Sequence, residues 1–169
     1  MTLDPDLKSS ILQAVEDGFA EQVSFTQQLV QTPSQRGHEH AIQDLLFRSL
    51  QSRGYAMDRF KMDRAAIEAH PGGSKYSDDH SDAPIVVGIH RPRNEVGRSL
   101  ILQSHLDVVP EGLHDMWDDP PLSAKIDGDW MYGRGAGDMK AGSAANIFAL
   151  DALRRIGLQP AATVYVQSA

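Results

Sequence analysis

Apolar residues recur at Ile11, Leu12, Val15, Phe19, Val23, Leu29 and Val30, a spacing that predicts a long amphipathic helix over residues 7–31. Thr32-Pro33-Ser34 ends it, because proline disfavours helical backbone in the residue before it. A second helix is expected over 37–53, with Ile42, Leu45, Leu46 and Leu50 on one face and Gly54 as its stop. Residues 55–62 alternate as a short strand. Residues 63–82 are expected to be the least structured, with PGGSKYSDDHSD as a polar loop. Strands resume at 85–90 and 100–103, where Leu100, Ile101 and Leu102 read as a buried run. Residues 123–132 read as a hairpin turning at Asp127-Gly128. An Ala-rich helix is expected over 139–156, punctuated by Gly157 and Pro160, and 162–167 reads as a further buried strand. Helices alternating with apolar strands predict the α/β class in one domain, with no internal repeat.

Composition narrows the possible chemistry. At 169 residues, 41% hydrophobic and 23% charged, the chain can bury a sizeable core. A formal net charge of −7 argues against nucleic acid or an anionic membrane as the main partner. There is no cysteine, which removes disulfides, thiolate metal sites and a Cys nucleophile. A metal would therefore be held by His, Asp or Glu. MTLDPDLKSS has no basic start followed by an apolar run, so no signal peptide is expected. No apolar stretch approaches the roughly 18 residues that span a bilayer, and the expected location is the cytoplasm.

Two stretches carry candidate chemistry. In SLILQSHLDVVPEG a strand ends in His105-Leu106-Asp107. Alternate residues of extended backbone point the same way, so His105 and Asp107 can project together. Ligands in α/β proteins bind beyond the carboxyl ends of strands. A carboxylate that accepts the hydrogen of one ring nitrogen fixes the tautomer that leaves the other free for a metal. On this motif alone, a capping Asp beside a solvated His stays open. In YGRGAGDMKAG three glycines alternate ahead of a helix. The dinucleotide fingerprint fails, because Asp138 or Lys140 stands where its last glycine belongs. The P-loop pattern from Gly137 fails at Ser143, where lysine is required. An Asp among permissive backbone suits a cation, although Asp138 could equally cap the following helix.

Other polar groups read as structural. His38-Glu39-His40 lacks a zinc-protease spacing and reads as surface, and Asp78-Asp79-His80 as a solvated run. His70, His90 and His114 have no partner at a diagnostic spacing. Ser104 and Ser143 lack a nucleophile-elbow setting. Trp117 and Trp130 read as packing residues.

The order and spacing of SHLDVVP and MWDDPPLSAKIDGDWMYGRGAGDMKAG resemble the co-catalytic metal amidohydrolases, the family of acetylornithine deacetylase, succinyl-diaminopimelate desuccinylase, aminoacylase and carboxypeptidase G. VSFTQQLVQTPSQRGHEHAIQDLLFRSLQSRGY is similar to that family's opening helices. The resemblance implies the N-terminal half of an αβα zinc-peptidase-like catalytic domain. It implies His105 as the terminal ligand of one metal, Asp107 as the carboxylate orienting that histidine, and Asp138 as the bridge between two divalent ions. Those ions would be zinc, or else cobalt or manganese. It also implies a cis Asp138–Met139 bond, hydrolysis of N-acyl amino acids or small peptides as in acetylornithine deacetylase, and a homodimeric parent.

The sequence departs from the pattern in small ways at Ser104 and Leu122, and in a larger way at its end. In the family, a strand like ATVYVQS leads to an adjacent glutamate pair, one of them the general base. Here the sequence given stops at Ala169, without that pair, the later ligands or the inserted lid or dimerisation domain. The expectation is a fragment inactive by itself. Its strand 162–167 is expected near a sheet edge, with exposed apolar surface that promotes self-association. The competing reading is a stand-alone, non-catalytic domain that binds a metal weakly or pairs with another subunit.

Overall fold

The computed structural model describes residues 3–73, 75 and 82–168. Helix α1 runs Pro5–Gln31. Its start is set locally: Asp4 Oδ1 accepts from the amides of Asp6 and Leu7 at 3.0 and 3.1 Å, and Pro5 takes the first turn, where no amide is needed. Helix α2 spans His40–Ser52 and stops at Gly54, whose φ of +78° suits glycine. Strand β1 (Ala56–Phe60) follows. Part of the stretch expected to lack structure is helical: α3, Arg64–Ala69, is started by Asp63, whose carboxylate accepts from the Ala66 amide at 3.0 Å. The cap outweighs the polar composition of that stretch, and no residue of α3 is buried. Asp78-Asp79-His80 lies outside the described residues.

Strands β2 (Ile85–His90) and β3 (Leu100–Ser104) lead to a short 3-10 turn, His114–Met116. The hairpin of β4 (Lys125–Asp127) and β5 (Trp130–Tyr132) comes next. Its loop is Gly128-Asp129, one residue later than expected. Asp127 pairs with Trp130, and Gly128 takes the positive φ (+58°) that a glycine-first tight turn uses. Helix α4 is Ala141–Arg155, with Arg154 and Arg155 in its last turn where cations suit the helix dipole, and β6 is Val164–Ser168.

The main sheet has the order β1-β2-β6-β3, with only β6 and β3 parallel. Met57, Val86, Leu102, Val164 and Val166 from the sheet share one core cluster with Leu46 and Leu50 of α2, Ile147 and Leu150 of α4, and Phe25 and Leu29 of α1. The α/β class and the αβα architecture are thus present as the sheet and one helical layer.

The sheet order overturns two expectations. Strand β6 is interior, hydrogen-bonded on both sides, because β2 and β3 both pair with it across long sequence separations. The edges of the sheet are β1 and, next to β6, β3. The apolar run of β3 is consequently not buried, with Leu100 49% and Ile101 59% exposed. Adjacent residues of a strand point to opposite faces, so both faces are open at Leu100 and Ile101, while Leu102 packs against the core.

Candidate metal centre

Just past β3 the chain alternates as its last strand residues do. Leu106 is fully buried in the core cluster, so its neighbours His105 and Asp107 turn outward together. His105 Nδ1 lies 3.2 Å from Asp107 Oδ1 and 3.2 Å from the Asp107 carbonyl oxygen. Both are acceptors, so Nδ1 carries the ring hydrogen. Nε2 lies 3.2 Å from Asp138 Oδ1, a nitrogen and a carboxylate oxygen that a cation between them would hold together.

Asp138 arrives by a different route. Gly133 passes so close to Val30 that a Cβ there would stand 2.6 Å from the valine Cγ1. Gly135 has φ +79°, and a Cβ on it would stand 2.4 Å from Val108 Cγ1. The backbone then winds through Ala136–Lys140 with non-helical angles at Asp138 and Met139, and the Asp138–Met139 peptide is cis, as the resemblance implied. Asp138 makes no capping hydrogen bond, and its side chain is 91% exposed. Asp138 therefore caps neither helix, and His105, 40% exposed, faces a carboxylate at each ring nitrogen.

The donor set fits a divalent ion in part. Nitrogen and oxygen ligands about 2.0–2.2 Å from a tetrahedral ion stand roughly 3.3 Å apart, close to the separation of Nε2 and Oδ1. Asp107 on the far ring nitrogen is the partner that metal-bound histidines use. Among the described residues, however, no cluster of three or more His, Asp or Glu is positioned to hold a metal.

The remaining candidates lie apart. His38 is exposed and His40 Nε2 is 3.4 Å from Asp82 Oδ1, as a surface reading requires. Glu39 corrects that reading: it is 6% exposed at the position just before α2. His70 accepts from the Gly72 amide, His90 contacts the Pro160 carbonyl, and His114 pairs with Glu111 at 2.8 Å. Ser104 and Ser143 donate to backbone carbonyls. Trp117 is half-buried, its Nε1 donating to the Glu111 carbonyl under the Arg134 guanidinium, whereas Trp130 is 71% exposed and is no packing residue here.

Two residues near the centre escaped the sequence reading. Lys140 is fully buried, and its Nζ donates to the Thr32 carbonyl at 3.0 Å. Burial pushes its ammonium down to about 8. Ser34, also fully buried, donates from Oγ to the Leu106 carbonyl at 2.7 Å, while the Val108 amide donates to the Ser34 carbonyl at 2.9 Å. A lone lysine and a serine after a proline carry no local signal of burial.

Known proteins are similar to this chain in sequence and fold. Residues 101–168 match Peptidase family M20/M25/M40. A succinyl-diaminopimelate desuccinylase of Dinoroseobacter shibae is 33% identical over 123 residues, 73% of this chain and 27% of that protein. Human carnosine dipeptidase 1 superposes with a TM-score of 0.74 at 18% identity, over 98% of this chain and 35% of that one. The M20 family metallo-carboxypeptidase Sso-CP2 of Sulfolobus solfataricus gives 0.64 at 21% identity, over 88% and 30%. The chain thus spans about a third or less of the length of these proteins. In sequence and fold the chain is similar to part of the M20/M25/M40 peptidases.

Proposed function

We propose that this chain is the N-terminal part of a hydrolase catalytic domain that cleaves amide bonds of N-acyl amino acids or small peptides at a two-metal centre. The observation that carries the reading is His105 held between two carboxylates, Asp107 at Nδ1 and Asp138 at Nε2, each at 3.2 Å. His105 is the terminal ligand, Asp107 fixes its tautomer, and Asp138 is the bridging carboxylate. Zinc is the expected metal, with cobalt or manganese as alternatives, since His and carboxylate accept several divalent ions. When bound, the ions supply Lewis acidity toward water and the amide carbonyl. Asp107 would hold the ring hydrogen at Nδ1 and so orient Nε2 toward the metal position. The desuccinylase and dipeptidase relatives support an amide substrate, and the net charge of −7 supports a small molecule over nucleic acid or an anionic membrane. No described helix is long and apolar enough to cross a membrane. A homodimeric parent and a cytoplasmic setting complete the proposal.

Two direct donors are fewer than the three protein ligands a catalytic zinc takes, so the 169-residue chain is expected to bind metal weakly and not to turn over. The same count is what favours the alternative, a non-catalytic metal-binding domain. Calorimetric titration with zinc and cobalt, on wild type and His105→Ala, tests the site; equal binding by both would refute it. Assay with N-acetyl amino acids tests the rest. Metal-dependent turnover that His105→Ala abolishes would establish the hydrolase and overturn the inactivity of the chain alone.

A further inference from the structure

The two loops that carry His105 and Asp138 are 33 positions apart, yet both are fastened to the same four residues just past α1. On one side, Ser34 Oγ donates to the Leu106 carbonyl, the Val108 amide donates to the Ser34 carbonyl, and Gln35 forms a parallel bridge with Val108. On the other side, Lys140 Nζ donates to the Thr32 carbonyl. Thr32 is the C-cap of α1, whose last turn holds no basic residue of its own. The Lys140 ammonium therefore supplies the cation that a helix C-terminus favours, which offsets the cost of burying it. Its stem lies alongside Gly135, where a Cβ would come within 3.5 Å of Cδ and Cε. The Lys140 amide donates to the Gly135 carbonyl, closing the turn that presents Asp138.

We propose that residues 32–35 form a strap that sets the His105–Asp138 separation, with Lys140 and Ser34 as its two positioning residues. The inference rests on the metal reading of that pair. Neither residue touches the metal position; each holds a loop that does. Packing alone leaves a loop end free to shift, whereas two hydrogen-bonded anchors on one rigid helix terminus fix both loops in a common frame.

Cobalt(II) titration followed by visible absorption tests the strap in wild type, Ser34→Ala and Lys140→Met. Ile42→Val, a truncation in the fully buried part of α2, is the control. Each titration is run where circular dichroism shows the variant folded. Ser34→Ala and Lys140→Met are expected to lose about tenfold or more in cobalt affinity, as when the outer partner of a ligand is removed, and Ile42→Val to keep it. Amide exchange at Val108 supplies a readout that needs no metal. It is expected to quicken several-fold in Lys140→Met, although Lys140 makes no hydrogen bond to Val108. Unchanged affinity and exchange in both variants, or an equal loss in Ile42→Val, would overturn the strap. If Lys140→Met does not fold, Ser34→Ala decides. If wild type takes up no cobalt that His105→Ala removes, the metal reading fails and Val108 exchange alone decides the strap.

Discussion

The motif GRGAG holds three glycines that look equivalent in sequence and are not equivalent in the fold, and alanine at each position separates them. At Gly135 two costs combine. The φ of +79° is left-handed backbone, which charges an L-residue about 1–2 kcal/mol. The new Cβ would stand 2.4 Å from Val108 Cγ1, and overpacking a filled site costs about 1–3 kcal/mol. Val108 is 5% exposed, β-branched and tied by its amide to Ser34, so it has little room to turn away. The stiffer unfolded chain of the alanine variant returns about 0.4–1 kcal/mol. Gly135→Ala should therefore destabilise by about 2–4 kcal/mol, a large share of a typical domain stability of about 5–15 kcal/mol. Gly133→Ala has no positive φ but meets Val30 Cγ1 at 2.6 Å, and should cost about 1–3 kcal/mol. At Gly137 nothing lies within 4 Å and φ is not positive, so Gly137→Ala should be neutral or gain up to about 1 kcal/mol. Urea unfolding followed at 222 nm, with all three variants at one pH and without metal, gives the ranking. Gly135→Ala costing under about 1 kcal/mol, or Gly137→Ala costing as much as Gly135→Ala, would refute the packing argument.

Asp107→Asn should weaken zinc or cobalt binding about 10–100-fold by releasing the tautomer of His105, and calorimetry reads it directly. Tyr55 is 5% exposed with its hydroxyl unpartnered, so Tyr55→Phe should raise stability by about 1 kcal/mol in urea unfolding. Burial also raises the Tyr55 hydroxyl above 10.0, so the folded state holds that proton more tightly than the unfolded one; the associated stability is present below pH 10 and lost above it. A pH series should show this alkaline decline in wild type beyond that of Tyr55→Phe. Arg53 Nε lies 2.7 Å from Asp151 Oδ2 while its guanidinium sits over Phe25 and Phe148, so Asp151→Ala should cost about 1–3 kcal/mol by leaving a largely buried cation unpaired. Ile101→Lys on the open β3 edge should reduce any self-association seen by light scattering, and association that persists unchanged would place the contact elsewhere.

The elements of this protein are written in local sequence. Asp4-Pro5 starts α1 and Thr32-Pro33 ends it, Gly54 stops α2, and the alternation through His105, Leu106 and Asp107 puts histidine, core and carboxylate on successive residues. Each depends on residues within a few positions, where propensity, capping and periodicity act directly. Strand order is different in kind. That β6 is interior and β3 forms an edge depends on pairings such as Leu102 with Val166, for which no neighbouring residue carries a signal. The same holds for Lys140, polar by composition yet buried where the end of α1 offers a carbonyl, and for the close approach of Val108 to Gly135, which adds to the demand of its left-handed backbone. The sequence marked His105, Asp107 and Asp138 as candidates through local motifs and the resemblance they carry. Bringing Nε2 of His105 to 3.2 Å from Asp138 took the tertiary structure, because the two loops are 33 positions apart and meet only in the fold.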